Sequence, residues 1–152
     1  MTTAETGGSV EVHLGGFTVM RCVVDYAFSL DLARPEAAVR VQQWASVRIG
    51  GPFDYVVEDT TRRLDAAECP EELGPALRLF RQTVESATIT HGGTLQIQFS
   101  GRAFLRIPSL ADYEAWEVTE GDGRRLICMP GGEIAIFEAP PERHGSPQAD
   151  GS

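Results

Sequence analysis

The sequence predicts a mainly β fold, α+β only through one helix, in which short strands follow one another as antiparallel meanders. Three observations carry the prediction. Apolar residues alternate with polar ones along most of the chain, the period-2 signature of half-buried strands. Turn signals recur between these runs, as at Gly15-Gly16, Gly50-Gly51-Pro52, Ser100-Gly101, Asp122-Gly123 and Pro130-Gly131-Gly132. An apolar stripe at helical spacing occurs near 70–81.

Residues 1–8 are polar and read as a frayed, disordered tail. Val10, Val12 and Leu14 alternate with Glu11 and His13 in a first strand, which Gly15-Gly16 breaks. Apolar runs over 17–24 and 26–32 give two more, with Phe28, Leu30 and Leu32 on one face. Arg34-Pro35-Glu36 is a turn. Val39 and Val41 alternate with Arg40 and Gln42 in a fourth strand. Val47 and Ile49 flank Arg48 in a fifth, and 53–57 is a short sixth.

The middle changes period. Asp65-Ala66-Ala67-Glu68 has capping-box spacing, and Leu73, Ala76, Leu77 and Phe80 form one helical stripe. Pro75 lacks an N–H and crowds the preceding turn. The helix therefore starts at Gly74-Pro75, or a short helical turn precedes it. Strands resume at 84–90 and turn at His91-Gly92-Gly93. Leu95, Ile97 and Phe99 then face one way, as do Ala103, Leu105 and Ile107 in the next strand.

Three strands close the fold between 112 and 138. Asp122-Gly123 fits a type I′ turn, and Met129-Pro130-Gly131-Gly132 a type II turn. In the strand over 113–118, strict pleating puts Glu114 on the face of Trp116 and Val118. Either a bulge or edge position resets the alternation, or Glu114 is buried with an arginine or backbone partner. Residues 139–152 lack apolar periodicity and read as a disordered tail. The body, 9–138, is one β-rich domain of roughly nine to eleven strands.

A faint echo runs through it. Thr18-Val19 with Ser29-Leu30-Asp31-Leu32 resembles Thr83-Val84 with Thr94-Leu95-Gln96-Ile97 at an offset of 65 residues. Two related meanders, 10–57 and 83–138, joined by the helix would produce it. So would the general likeness of apolar hairpins.

Composition narrows the function classes. The 152 residues carry 22 acids against 13 bases, a net charge of -9, which disfavours binding to a phosphate backbone. Every base is arginine; lysine and asparagine are absent. Schiff-base chemistry, a P-loop lysine and N-glycosylation are thereby unavailable. No apolar run approaches the ~18 residues of a membrane span, and the N-terminus lacks a signal-peptide pattern. The expected location is cytoplasmic, with no membrane partner.

Motifs for catalysis are missing. Cys22, Cys69 and Cys128 have no CxxC spacing, and His13, His91 and His144 lie far apart, so no metal site or cofactor is expected. No GxSxG elbow occurs, and the double glycines join strand to strand rather than strand to helix. Glu114, Glu117, Glu120, Asp122, Glu133 and Glu138 crowd the last strands. Two of them could act as an acid/base pair, or the cluster could recognise arginines and lysines of a partner.

The segment DYEAWEV…LICMPGGEIAIFE resembles a family of small uncharacterised proteins of actinobacterial type, with a Tyr-Glu-Ala-Trp strand and a Cys-x-Pro-Gly-Gly hairpin. The likeness extends through TVESATITHGGTLQIQF and, more weakly, VDYAFSLDL. It covers most of the folded chain and supplies no catalytic residues. Similar endings occur in immunity-like partners of bacterial polymorphic toxins, which implies a binding role by analogy.

The leading expectation is a non-enzymatic protein-binding domain. Its acidic, aromatic surface would comprise Tyr113, Glu114, Trp116, Glu117 and Glu133, and its partner would be basic and toxin-like. One alternative is a small-ligand binder or enzyme with a buried carboxylate and a pocket lined by Trp44 and Trp116. Another is a homo-oligomeric scaffold joined through sheet edges.

Overall fold

The computed structural model describes residues 2–4, 9–35 and 42–139. Among these, thirteen strands form two antiparallel sheets. The first runs β1 (Thr2–Ala4), β13 (Ile134–Phe137), β12 (Arg125–Cys128), β11 (Trp116–Thr119), β5 (Gln42–Ile49), β4 (Phe28–Pro35), β3 (Thr18–Val24). The second runs β2 (Val10–Glu11), β8 (Val84–Thr90), β9 (Thr94–Phe99), β10 (Ala103–Ile107), β6 (Phe53–Val57), β7 (Thr60–Leu64).

The alternation seen in the sequence is what builds the core. Leu30, Leu32, Val47, Ile49, Leu95, Ile97, Leu105 and Ile107 are fully or almost fully buried, and their polar neighbours point outward. Phe28 of the first sheet stacks on Phe53 of the second with centroids 5.6 Å apart. One continuous apolar cluster thus fills the space between the sheets. Each such side chain contributes about 1.5–3 kcal/mol of burial.

The offset of 65 reappears in the backbone. Val19 N donates to Gln82 O, and Val84 N to Phe17 O, both at 2.8 Å. Gly16 N donates to Val84 O, and Arg81 N to Val19 O. Gly16 and Arg81 both have positive φ, 87° and 75°. Each hydrogen bond is the other's image after a shift of 65. The register slips between Val19 and Arg21 in β3, and again between Val84 and Ser86 in β8. Beyond that bulge the equivalence moves by two residues. Leu32 opposes Val19, whereas Phe99, not Ile97, opposes Val84. The two halves are not separate bodies. β3–β4–β5 lie in the first sheet and β6–β7 in the second; β8–β9–β10 lie in the second and β11–β12–β13 in the first.

Several expectations need correction. The helix, Pro70–Leu79, is 3₁₀ rather than α, with Pro70 at its start and Pro75 inside. Its period of three buries Leu73, Ala76 and Leu79, whereas Leu77 and Phe80 of the expected α stripe are exposed. Asp65 does not cap it. Its Oδ1 accepts Ala67 N in a local turn, and Cys69 at the helix start provides no side-chain cap. β7, TTRRL, has one buried residue, so no apolar alternation announces it. Gln42–Ile49 is one continuous strand; Val39, Arg40 and Val41 lie outside the described residues. Thr2–Ala4, read as tail, pair with β13 as its edge neighbour, because backbone pairing at an edge needs no apolar pattern. Residues 5–8 and 140–152 lie outside the described residues.

The two closing turns part company. Gly132 N donates to Met129 O at 2.9 Å and Gly131 has φ 89°, as a type II turn requires. At the other hairpin only Gly123 has positive φ, so the turn is not type I′. Asp122 is held otherwise: its Oδ1 accepts Arg124 N at 2.9 Å.

Candidate functional site

Two glycine turns, a tryptophan and the loop at 108–115 meet at one end of the fold. Trp116 is 2% exposed, and its Nε1 donates to Gly93 O at 3.0 Å. Cys128 Sγ donates to the same oxygen at 3.5 Å. The β8–β9 turn and the β12–β13 turn touch backbone to backbone. A Cβ on Gly93 would lie 2.5 Å from Gly132 O, and one on Gly132 would collide with Gly92 O. Only glycine permits this approach. Two further bonds lock the loop at 108–115 onto the last hairpin: Gly131 N to Leu110 O at 2.8 Å and Ala115 N to Cys128 O at 3.1 Å.

This lock displays some of the expected surface residues and removes one. β11 starts at Trp116, so residues 113–115 need not obey the strand's alternation. Ala115 and Trp116 are both buried, while Tyr113 is 72% exposed and Glu114 is exposed. Trp116 is therefore an internal anchor and not a surface residue. Glu133, at the foot of the last hairpin, is exposed. Among the described residues Glu114 and Glu133 form no ion pair. Glu117 is already engaged on the outer sheet face, where its Oε2 accepts Arg125 Nε at 3.0 Å and NH2 at 2.6 Å. Tyr113, Glu114 and Glu133 thus share one acidic end.

A model for a family of unknown function, DUF6188, matches residues 10–138. The chain belongs to that family. Comparison with curated proteins and with solved structures gives no match. In this DUF6188 chain the matched segment spans twelve of the thirteen described strands, the glycine lock and the acidic end.

Among the described residues of this DUF6188 protein the buried carboxylate is Glu120, at 1% exposure, and not Glu114. Its Oε1 accepts Arg124 Nε at 2.6 Å and lies 3.5 Å from His13 Nδ1. Its Oε2 accepts His13 N at 2.7 Å and Arg124 NH2 at 2.8 Å. Four contacts fill the acceptor sites of a carboxylate, so Glu120 serves as a clamp between the β11–β12 hairpin and the segment after β2. Its hydrogen bond holds the Arg124 guanidinium's pKa above the usual arginine value. The spacing Glu120 to Arg124 across a glycine-rich hairpin was the available signal in the sequence.

No thiol is activated. Burial pushes Cys128 up to about 11. Burial and Asp31 raise Cys22. Burial, then Glu72 and three neighbouring acids, raise Cys69. A nucleophilic cysteine needs the opposite shift. Trp44 is 54% exposed and shares no cavity with Trp116 among the described pockets. The largest described concavity, about 520 Å³, instead lies between the β6–β7 hairpin and the 3₁₀ helix, beside Tyr55, Arg62 and Arg78.

Proposed function

We propose that this DUF6188 protein is a non-enzymatic binding protein that docks a basic protein on the end bearing Tyr113, Glu114 and Glu133. One observation carries the reading. A tyrosine 72% exposed sits beside carboxylates with no ion-pair partner among the described residues, on loops that backbone hydrogen bonds and glycine contacts hold rigid. Rigid loops lose little entropy on binding, and tyrosine is a favoured interface anchor. The net charge of -9 would speed encounter with a cationic partner. Immunity-like neutralisation of a toxin in the cytoplasm fits this chemistry, and the likeness of the YEAW and PGG segments to immunity-like proteins points the same way.

Calorimetry against purified products of neighbouring genes tests it. A basic partner should bind, and Glu114→Arg with Glu133→Arg should weaken it at least tenfold, as should Tyr113→Ala. A complex unchanged by these substitutions would remove the acidic end from the interface. Light scattering of the protein alone separates this reading from a scaffold that self-assembles through its sheet edges.

A further inference from the structure

In the second sheet an exposed arginine continues the face that carries the core. Going outward along the β6–β7 hairpin, Phe53 opposes Leu64, Tyr55 opposes Arg62 and Val57 opposes Thr60. These pairs share one face. Phe53 and Leu64 are buried in the core, and two residues further out the same face carries a guanidinium. The 3₁₀ helix walls that end of the face, with Gly74, Pro75 and Arg78 lining the same pocket of about 520 Å³.

Among the described residues, three of its polar side chains, Tyr55, Arg62 and Arg78, lack a hydrogen-bond or ion-pair partner. Tyr55 is 4% exposed, yet its hydroxyl makes no hydrogen bond with the described residues. Arg62 and Arg78 form no ion pair among the described residues, although acids outnumber bases 22 to 13. Among the described residues Arg21, Arg48, Arg63, Arg106, Arg124 and Arg125 each pair with a carboxylate, whereas Arg34, Arg81 and Arg102, like Arg62 and Arg78, do not; of these five only Arg62 and Arg78 line this pocket. Glu58 is the one acid in the pocket lining. Burial raises the Tyr55 phenol, and Arg78 and Arg62 pull it the other way, which places both guanidinium groups within electrostatic reach of the ring. The wall is also organised. Gln82 Nε2 donates to Arg78 O at 2.9 Å, and its Oε1 accepts Gly101 N at 3.1 Å, tying the helix end to the β9–β10 turn. A charge on an edge strand can block edge pairing, but that role asks nothing of Arg78 or Tyr55.

We propose that this pocket binds a small organic oxyanion, a phosphate monoester or a carboxylate on an apolar body. Arg62 and Arg78 neutralise the anion, and the Tyr55 hydroxyl donates to it. Tyr55, Val57 and Pro75 supply the apolar wall. The volume suits a ligand up to the size of a mononucleotide, within the ~300–1,000 Å³ of ordinary small-molecule sites. The site is separate from the acidic end. The β8–β9 turn marks that end and the β9–β10 turn marks this one, so they are separated by the length of β9, about 20 Å.

Calorimetry at low ionic strength with phenyl phosphate, benzoate, inorganic phosphate and neutral benzyl alcohol tests the proposal. Saturable binding of phenyl phosphate or benzoate is expected, and their order identifies the preferred headgroup. Arg62→Gln and Arg78→Gln should each weaken binding about tenfold or more, and Tyr55→Phe roughly three- to tenfold. Arg63→Gln, on the opposite strand face beside Asp54, should leave it unchanged. Thermal melts of each variant confirm that it is folded. The proposal is overturned if none of the anions saturates at millimolar concentration, if benzyl alcohol binds as well as they do, or if the double variant Arg62→Gln/Arg78→Gln binds like wild type.

Discussion

Replacing Trp116 with phenylalanine probes the glycine lock at its centre. Two losses combine. The Nε1–H disappears, leaving the buried Gly93 oxygen with the weak Cys128 thiol donor 3.5 Å away. An under-satisfied buried acceptor costs about 1–3 kcal/mol. The smaller ring also leaves a gap of a few methylene equivalents at a site 2% exposed, worth about 1–2 kcal/mol more. The expected loss is about 3 kcal/mol, or roughly 10 °C in melting temperature for a chain of this size. Urea and thermal denaturation followed by far-UV circular dichroism measure it. Trp44→Phe is the internal control, since Trp44 is 54% exposed and should cost under about 0.5 kcal/mol. Equal effects from the two substitutions, or a Trp116→Phe loss below about 1 kcal/mol, would refute the lock.

Other substitutions test the remaining packing. Glu120→Ala strands the Arg124 guanidinium, whose side chain is 17% exposed, and should cost about 3–5 kcal/mol in chemical denaturation. Glu117→Ala, which breaks a more exposed pair, should cost under about 1 kcal/mol. Leu79→Ala should lose about 2–4 kcal/mol and Leu77→Ala under about 1, reversing the order an α-helical stripe implies. Burial pushes the Cys128 thiol from the ordinary 9.0 up to about 11. Its protonated form is the one the fold favours, so its contribution is complete below about pH 9 and declines as pH rises towards 11. The urea midpoint should fall across that window, and fall less in Cys128→Ala.

Strand content was legible wherever one face is apolar and the other polar, as in Leu95, Ile97 and Phe99 of β9. β7 escaped because four of its five residues are exposed. One helix was expected in this stretch, but it starts at Pro70 rather than at Gly74-Pro75 and has a different period. Leu73 and Ala76 suit both a 3.6 and a 3.0 repeat, and Leu79 against Leu77 and Phe80 separates them. Extending β11 backwards through 113–115, where the chain is not a strand, put Glu114 on the face of Trp116; Trp116 itself was counted with the binding surface for its aromatic ring and is buried. Hairpin pairing was readable, but contacts across the fold were not. The meeting of Gly93 with Gly132, the Glu120 contact with His13, and the convergence of Arg62 with Arg78 all join segments remote in sequence. A local pattern carries no record of such meetings. The 65-residue echo was the exception, since duplicated hydrogen bonds leave duplicated residues at Thr18 and Thr83, which also bridge each other.

Amide hydrogen exchange of the protein bound to its cationic partner tests the docking end most directly. New protection confined to the loop at 108–115 and the turn around Gly131 would match a partner seated over Tyr113, Glu114 and Glu133. Protection restricted to the 3₁₀ helix, the β6–β7 hairpin or the sheet edges would contradict it.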